Sequence, residues 1–132
     1  MKIFLDTNII IYFLEKNNKF FNKVMPYFRK AETKDVELYT SSLSYMELLI
    51  PVIKNKDVNL EAKYNFLFKN FFNVVNIDME TARIGAKIRA GYGIRTPDAL
   101  QVACAIRSNC KQFITSDRRL KKVSGIEIVV IS

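Results

Sequence analysis

The chain has 132 residues, 49% of them hydrophobic and 26% charged, a composition typical of a single soluble globular domain spanning residues 1–132. It contains no His, no Trp and only two Cys. The absence of His excludes Ser-His-Asp and Cys-His nucleophile relays and His-ligated zinc, and two thiols cannot complete an all-cysteine zinc site. A metal held by this chain would therefore have mainly oxygen ligands, which favours magnesium or manganese.

The net charge of +8 is concentrated in the second half of the chain. Residues 1–66 carry 10 Lys and Arg against 8 Asp and Glu, whereas residues 67–132 carry 11 against 5. Because the planar fork of Arg fits a phosphate group, this excess suggests a polyanionic partner such as nucleic acid. A solvated basic surface without a partner would explain the charge equally well, and both interpretations stay open.

Apolar segments typical of strands alternate with longer helical segments along the chain. In order, we expect a strand at 3–5, helices from 8 and at 19–31, a strand at 37–39, helices from about 43 and at 60–72, a strand at 74–77, helices from 79 and 96, a strand at 112–115, a short helix and a strand at 127–131. This alternation predicts an α/β fold with three α/β/α layers and a central, mostly parallel sheet of four to five strands.

No segment of the chain predicts a membrane span or a signal peptide. The longest uninterrupted apolar run is Ile9–Leu14, far shorter than the roughly 18 residues that a membrane span needs. We therefore expect a cytoplasmic protein without a membrane partner.

Four acidic residues lie where α/β folds place their sites. Asp6 follows the first strand, Asp117 follows the strand at 112–115, Asp98 lies in the first turn of a helix, and Glu47 begins the helix after the second strand as part of a predicted Ser44–Glu47 capping box. Each acid, taken alone, is explained as a helix cap or by the helix dipole. Together, four converging carboxylates would repel each other unless a hard divalent cation held them. Basic residues next to these acids could contact substrate phosphates, namely Arg95, Arg118, Arg119, Lys121 and Lys122.

The chain resembles the PIN-domain family, and more closely the VapC-type toxin ribonucleases of toxin–antitoxin pairs. The resemblance rests on four motifs that follow the family's order over nearly the whole chain. They are Phe4-Leu5-Asp6-Thr7-Asn8, Ser44-Tyr45-Met46-Glu47-Leu48, Thr96-Pro97-Asp98-Ala99-Leu100 with Ala103 following, and Phe113-Ile114-Thr115-Ser116-Asp117.

The resemblance implies a divalent-metal-dependent ribonuclease. Asp6 and Asp98 would be Mg²⁺ or Mn²⁺ ligands, and Glu47 and Asp117 would complete the catalytic site. Outer residues would orient these carboxylates, namely Thr7, Asn8, Thr115 and Ser116. The family also implies a homodimer and a cognate antitoxin partner.

Three other functions compete with a toxin ribonuclease. The first is an RNA-processing nuclease of the same family without a toxin role. The second is a non-catalytic module that binds RNA or protein, although the complete acidic set argues against it. The third is a phosphatase with an aspartate nucleophile, suggested by a strand that ends at Asp6. In that class the second residue after the nucleophile is Asp, whereas here it is Asn8.

Overall fold

Five parallel strands form the centre of the protein. The computed structural model describes residues 1–132, and its strands are β1 (Lys2–Leu5), β2 (Glu37–Ser41), β3 (Asn73–Val75), β4 (Gln112–Thr115) and β5 (Glu127–Val130). They pair in the order β3-β2-β1-β4-β5, and every neighbouring pair is parallel. The predicted α/β sheet is confirmed, with five strands rather than four and no antiparallel pair.

Helices cover both faces of this sheet, as a parallel sheet requires. In chain order they are α1 (Thr7–Leu14), α2 (Phe21–Glu32), α3 (Ser42–Lys54), α4 (Val58–Asn70), α5 (Met79–Tyr92) and α6 (Thr96–Arg107), followed by a short 3₁₀ helix at Arg118–Lys122. None of them combines the length and the apolar character needed to cross a membrane.

The alternation of side chains along β1 divides the core into two parts. Ile3 and Leu5 pack with apolar residues of α1 to α4, including the fully buried Tyr64. Phe4 points the other way, where it stacks on Phe113 of β4 with ring centroids 5.3 Å apart and joins a core built from α5 and α6. Because successive residues of a strand face opposite sides, a run of three apolar residues is enough to hold both helical layers.

The strand order reverses beside β1, and this reversal positions the site. The chain runs from β1 to β2 and β3 on one side, then returns past β1 to pair β4 on the other. The pairing of β1 with β4 continues one residue beyond β1, where the backbone N–H of Asp6 donates to the carbonyl of Ile114 over 3.0 Å. In open α/β sheets, ligands bind at such a reversal, beyond the carboxyl ends of the strands.

The start of α3 differs from the sequence prediction. Ser41 is the N-cap, and its hydroxyl accepts a hydrogen bond from the backbone N–H of Ser44 over 3.1 Å. The predicted Ser44–Glu47 capping box is therefore wrong, because the helix begins earlier and leaves the side chains of Ser44 and Glu47 free for other contacts. Ser41 precedes Ser42 and Ser44, so three serines could have served as the cap, and spacing alone did not distinguish them.

Candidate active site

A polar cavity of about 330 Å³ opens at the carboxyl end of the sheet. All four acids singled out from the sequence line it, namely Asp6, Glu47, Asp98 and Asp117. Glu47 lies in α3 and Asp98 in α6, whereas Asp6 and Asp117 are the N-caps of α1 and the 3₁₀ helix, and the rest of the lining is almost entirely polar. A second cavity of about 400 Å³ lies between α3 and α4, but no acidic residue lines it. The acids singled out from the sequence therefore meet at the first cavity and not at the second.

Asp6 lies deepest among the four acids and is held by hydrogen bonds on both carboxylate oxygens. Oδ1 accepts from the backbone N–H of Thr7 over 2.9 Å, and Oδ2 accepts from the hydroxyl of Thr115 over 2.8 Å. Burial raises the pKa of Asp6 from 3.8 to about 6, because it outweighs these two hydrogen bonds, and the nearby Asp98 and Glu47 raise it further. A carboxylate with this environment is fixed in direction and costly to ionise without a nearby positive charge.

Glu47 reaches the same cavity from α3. Its carboxylate accepts a short hydrogen bond of 2.6 Å from the hydroxyl of Thr7. Thr7 thus contacts two of the four acids, Asp6 through its backbone and Glu47 through its side chain. The orienting role of Thr7 stays a prediction.

The other two acids are paired with arginines of the same chain. Nε of Arg95 lies 3.3 Å from Oδ2 of Asp98, and Nη2 of Arg119 lies 2.7 Å from Oδ2 of Asp117. The hydrogen bonds from Arg119 lower the pKa of Asp117. Both arginines also line the cavity, so two ion pairs contribute to its wall.

The remaining predicted residues divide into those that face the acids and those that do not. Thr115 contacts Asp6, whereas Asn8 and Ser116 hydrogen-bond each other at the exposed rim over 3.4 Å. The ammonium of Lys121 donates to the backbone carbonyl of Ile128 in β5 over 2.8 Å. Arg118 is exposed beside the site. Contact of Arg118 and Lys121 with a substrate phosphate stays a prediction.

Sequence reasoning missed one buried residue of the cavity wall, Gln101 in α6. Its side-chain amide donates to Ser44, Thr7 and Asp6, over 2.6, 3.2 and 3.4 Å. A signal was present in the sequence, because Gln101 is the one polar residue within the otherwise apolar stretch 99–106. It also lies one helical turn after Asp98, on the face of α6 that carries that acid.

The donor set of this cavity fits a hard divalent cation. Its carboxylates offer oxygen ligands only, and Mg²⁺ or Mn²⁺ is commonly held by one or two carboxylates with waters completing the shell. As the side chains lie, no three acids are close enough to hold one ion jointly. Asp6 and Glu47 could hold such an ion together with Asp98 and Asp117, which are paired with Arg95 and Arg119 in this structure.

Comparison with known proteins agrees with this fold. The family model described as PIN domain matches residues 3–126. No curated protein sequence matches the chain.

Solved structures with a similar fold include several toxin–antitoxin proteins. VapBC2 from Rickettsia felis, bound to a DNA fragment from its promoter, is 19% identical with a TM-score of 0.74, and the match covers 97% of each chain. A toxin–antitoxin complex from Klebsiella pneumoniae is 20% identical with a TM-score of 0.72 over 94% of each chain. VapC20 from Mycobacterium tuberculosis, described as a Sarcin-Ricin loop cleaving toxin, is 11% identical with a TM-score of 0.66 over 93% of this chain and 90% of that one.

Proposed function

This chain belongs to the PIN-domain family, and we propose that its residues 1–132 form a single-domain, divalent-metal-dependent endoribonuclease, the toxin of a toxin–antitoxin pair. The observation that carries the proposal is the convergence of Asp6, Glu47, Asp98 and Asp117 in one cavity at the carboxyl edge of the sheet. Capping explains the local position of Asp6 and Asp117, but it does not explain why four carboxylates from separate parts of the chain line one cavity.

The chemistry assigned to these residues is hydrolysis of a phosphodiester bond. Asp6, Glu47, Asp98 and Asp117 would hold the cation, Mg²⁺ or Mn²⁺. When bound, such an ion supplies an activated water and stabilises the charge on the leaving oxygen. Thr7 and Thr115 keep the carboxylates of Glu47 and Asp6 directed into the cavity.

Positive charge at the mouth of the cavity supports an RNA substrate. Arg95 and Arg119 line it, and each could exchange its carboxylate partner for a substrate phosphate when a cation takes over the acids. Arg is suited to this exchange because its planar fork fits both groups. Arg118 and Lys121 would extend this basic surface along the bound RNA.

The antitoxin and the homodimer are proposed from the fold neighbours. Proteins named VapBC, and one described as a toxin–antitoxin complex, share this fold over nearly their whole length. We therefore propose a cytoplasmic homodimer that binds a cognate antitoxin. Expression of the chain in cells would separate a toxin from an RNA-processing nuclease, since a toxin arrests growth and the Asp98→Asn variant should not.

RNA cleavage in vitro tests the enzymatic proposal directly. The purified protein should cleave a labelled structured RNA with Mg²⁺ or Mn²⁺ and stop when EDTA is added. Asp6→Asn and Asp98→Asn should each lower the rate by about 100-fold or more, at least as much as the loss of an outer contact to a metal ligand costs. Asp78→Asn is the matched control, because Asp78 caps α5 outside the cavity.

Two outcomes would contradict the proposal. Undiminished cleavage by Asp6→Asn or Asp98→Asn would place the catalytic site elsewhere. Binding of RNA that is indifferent to Mg²⁺ and to Asp98→Asn, without any cleavage, would favour the non-catalytic module instead.

A further inference from the structure

We propose that Gln101 is a positioning residue for the candidate metal site, the buried end of a hydrogen-bond relay that fixes the carboxylates of Glu47 and Asp6. This inference rests on the proposed function, since it assigns Gln101 a role toward the divalent cation. The motivating observation is that one buried side-chain amide reaches three residues that hold or form the acidic site.

Gln101 is a residue of α6, on the face of the helix that contacts the ends of β1 and β2. Its side chain is buried, with 2% of the residue exposed. Nε2 lies 2.6 Å from Oγ of Ser44, 3.2 Å from Oγ1 of Thr7 and 3.4 Å from Oδ1 of Asp6. Oε1 accepts from the hydroxyl of Ser41. The amide thus lies between the cap of α3 on one side and the acidic cavity on the other.

The chemistry of the groups sets the direction of every hydrogen bond in this relay. The hydroxyl of Ser41 accepts from the backbone N–H of Ser44, so its own hydrogen is available to Oε1 of Gln101. The amide nitrogen must then face Ser44, because an amide nitrogen only donates.

The relay ends on a carboxylate. An ionised carboxylate accepts hydrogen bonds and donates none. Thr7 donates its hydroxyl hydrogen to Oε1 of Glu47 over 2.6 Å. Ser44 lies 2.9 Å from the hydroxyl of Thr7 and must donate to it, since the Thr7 hydrogen is committed to Glu47. The hydrogens therefore point in one sense, from Gln101 through Ser44 and Thr7 to Glu47.

Gln101 supports this sense from the buried end. Its amide donates to the hydroxyl of Ser44, so the hydrogen of Ser44 points away from Gln101 and toward Thr7, which in turn donates to Glu47. The remaining hydrogen of the Gln101 amide faces Thr7 and Asp6, so the same residue contacts the second acid. Every buried side-chain polar atom of the protein has a partner, so the relay is complete as built.

A role in packing alone does not account for these contacts. An apolar side chain of the same length would fill the same space without any demand for hydrogen-bond partners. Outer contacts of this kind commonly change metal affinity by 10-fold to 100-fold. The role of Gln101 is therefore measurable as metal affinity in the folded protein, apart from catalysis.

Titration with Mn²⁺ alone tests the proposal. The full chain, its Gln101→Met variant and a Thr40→Val variant would be compared by calorimetry or by the electron paramagnetic resonance of free Mn²⁺. Thr40 is the matched control, because its buried hydroxyl donates to the carbonyl of Leu5 and to no carboxylate. We expect Gln101→Met to weaken Mn²⁺ binding by at least about 10-fold, and Thr40→Val to leave it within about twofold.

Thermal unfolding in EDTA separates folding from positioning. Gln101→Met removes four side-chain hydrogen bonds and Thr40→Val removes one, so both are expected to lower Tm, but only Gln101→Met should weaken metal binding. If Gln101→Met does not fold, Ser44→Ala breaks the next link of the relay and should weaken Mn²⁺ to a similar degree.

The possible failures are distinguishable. A folded Gln101→Met or Ser44→Ala protein that binds Mn²⁺ as tightly as the unaltered chain overturns the role of Gln101 and leaves the proposed function standing. Failure of the unaltered chain to bind Mn²⁺ at all overturns the proposed function, and the positioning role with it.

Discussion

Arg119 donates to both carboxylate oxygens of Asp117, with Nη2 2.7 Å from Oδ2 and Nε 3.0 Å from Oδ1. The pair connects residues only two positions apart, and the backbone N–H of Arg119 donates to the same carboxylate. A positive group of the chain itself therefore occupies the acid that a divalent cation would need. The pairing lowers the pKa of Asp117 and raises that of Arg119.

Removal of Arg119 should strengthen metal binding. Arg119→Ala frees Asp117 and removes a positive charge from the cavity, so Mn²⁺ affinity should rise. The pair is largely exposed on the arginine side, and exposed pairs contribute about 1 kcal/mol or less, which limits the gain to about fivefold. Mn²⁺ titration measures it, with Arg118→Ala as the neighbouring control. Weaker binding in Arg119→Ala would show that Arg119 supports the metal site rather than competing with it.

Replacement of Asp6 should stabilise the metal-free protein at neutral pH and above. The folded-state pKa of Asp6, about 6, lies above its ordinary value of 3.8, so the folded protein binds this proton more tightly than the unfolded chain does. Ionised Asp6 therefore costs stability above about pH 6, and the cost disappears below about pH 4. Asp6→Asn should gain up to about 3 kcal/mol at pH 8.

Urea unfolding in EDTA at pH 4, 6 and 8 checks this prediction. Asp78→Asn is the control of opposite sign, because hydrogen bonds from Thr81 lower the pKa of Asp78, and its loss should destabilise the protein at pH 8. A gain for Asp6→Asn that is the same at all three pH values would contradict the electrostatic explanation.

Lys121 and Arg118 should differ in what they contribute. The ammonium of Lys121 donates to the carbonyl of Ile128, so Lys121→Met should lower the free energy of unfolding by about 1 kcal/mol. Arg118 is exposed without this tie to β5, so Arg118→Ala should leave stability unchanged. It should instead weaken RNA binding and reduce its salt dependence by about one phosphate contact. Each substitution is placed in a catalytically inactive Asp98→Asn protein, and filter binding of RNA at several salt concentrations distinguishes the contribution of Arg118 from that of Lys121.

Gly91 and Gly93, at the C-terminal end of α5, are a matched pair for testing the effect of backbone conformation on stability. Gly93 ends the helix with φ of +70°, and Gly91 lies in its last turn, while a Cβ at either position would meet nothing within 4 Å. Gly93→Ala should therefore destabilise the protein by about 1 kcal/mol through backbone strain alone. Gly91→Ala should stabilise it by up to about 1 kcal/mol, because Ala favours the helix. Equal effects of the two substitutions in urea unfolding would contradict this account.

The sequence was sufficient to predict the sheet and the acids that meet at its edge. Short apolar runs such as Gln112–Thr115 match the observed strand bounds, because a strand buried on both faces has an almost continuous apolar sequence. Asp6 and Asp117 follow adjacent parallel strands, β1 and β4, so their proximity follows from topology once the sheet is parallel. Their function as metal ligands stays a prediction.

The supporting contacts could not be predicted, because they depend on how separate elements pack. Ser41 and Gln101 are 60 positions apart, and nothing in either local sequence indicates the other. Arg119 and Arg118 are adjacent and chemically identical, yet only Arg119 turns back onto Asp117. The tertiary arrangement of α6, the 3₁₀ helix and the sheet edge determines these contacts, and neither hydrophobic periodicity nor residue spacing in the sequence predicts that arrangement.

The four acids of the cavity extend from residue 6 to residue 117, nearly the full length of the chain. An ion held among them would bind the folded chain and be released on unfolding, so it would stabilise the fold by an amount set by its concentration relative to Kd, about 2.7 kcal/mol at 100 times Kd. Under the proposed function, the magnesium concentration would therefore also set how long the protein resists proteolysis. A protease that removes the metal-free form first would leave the metal-bound population enriched.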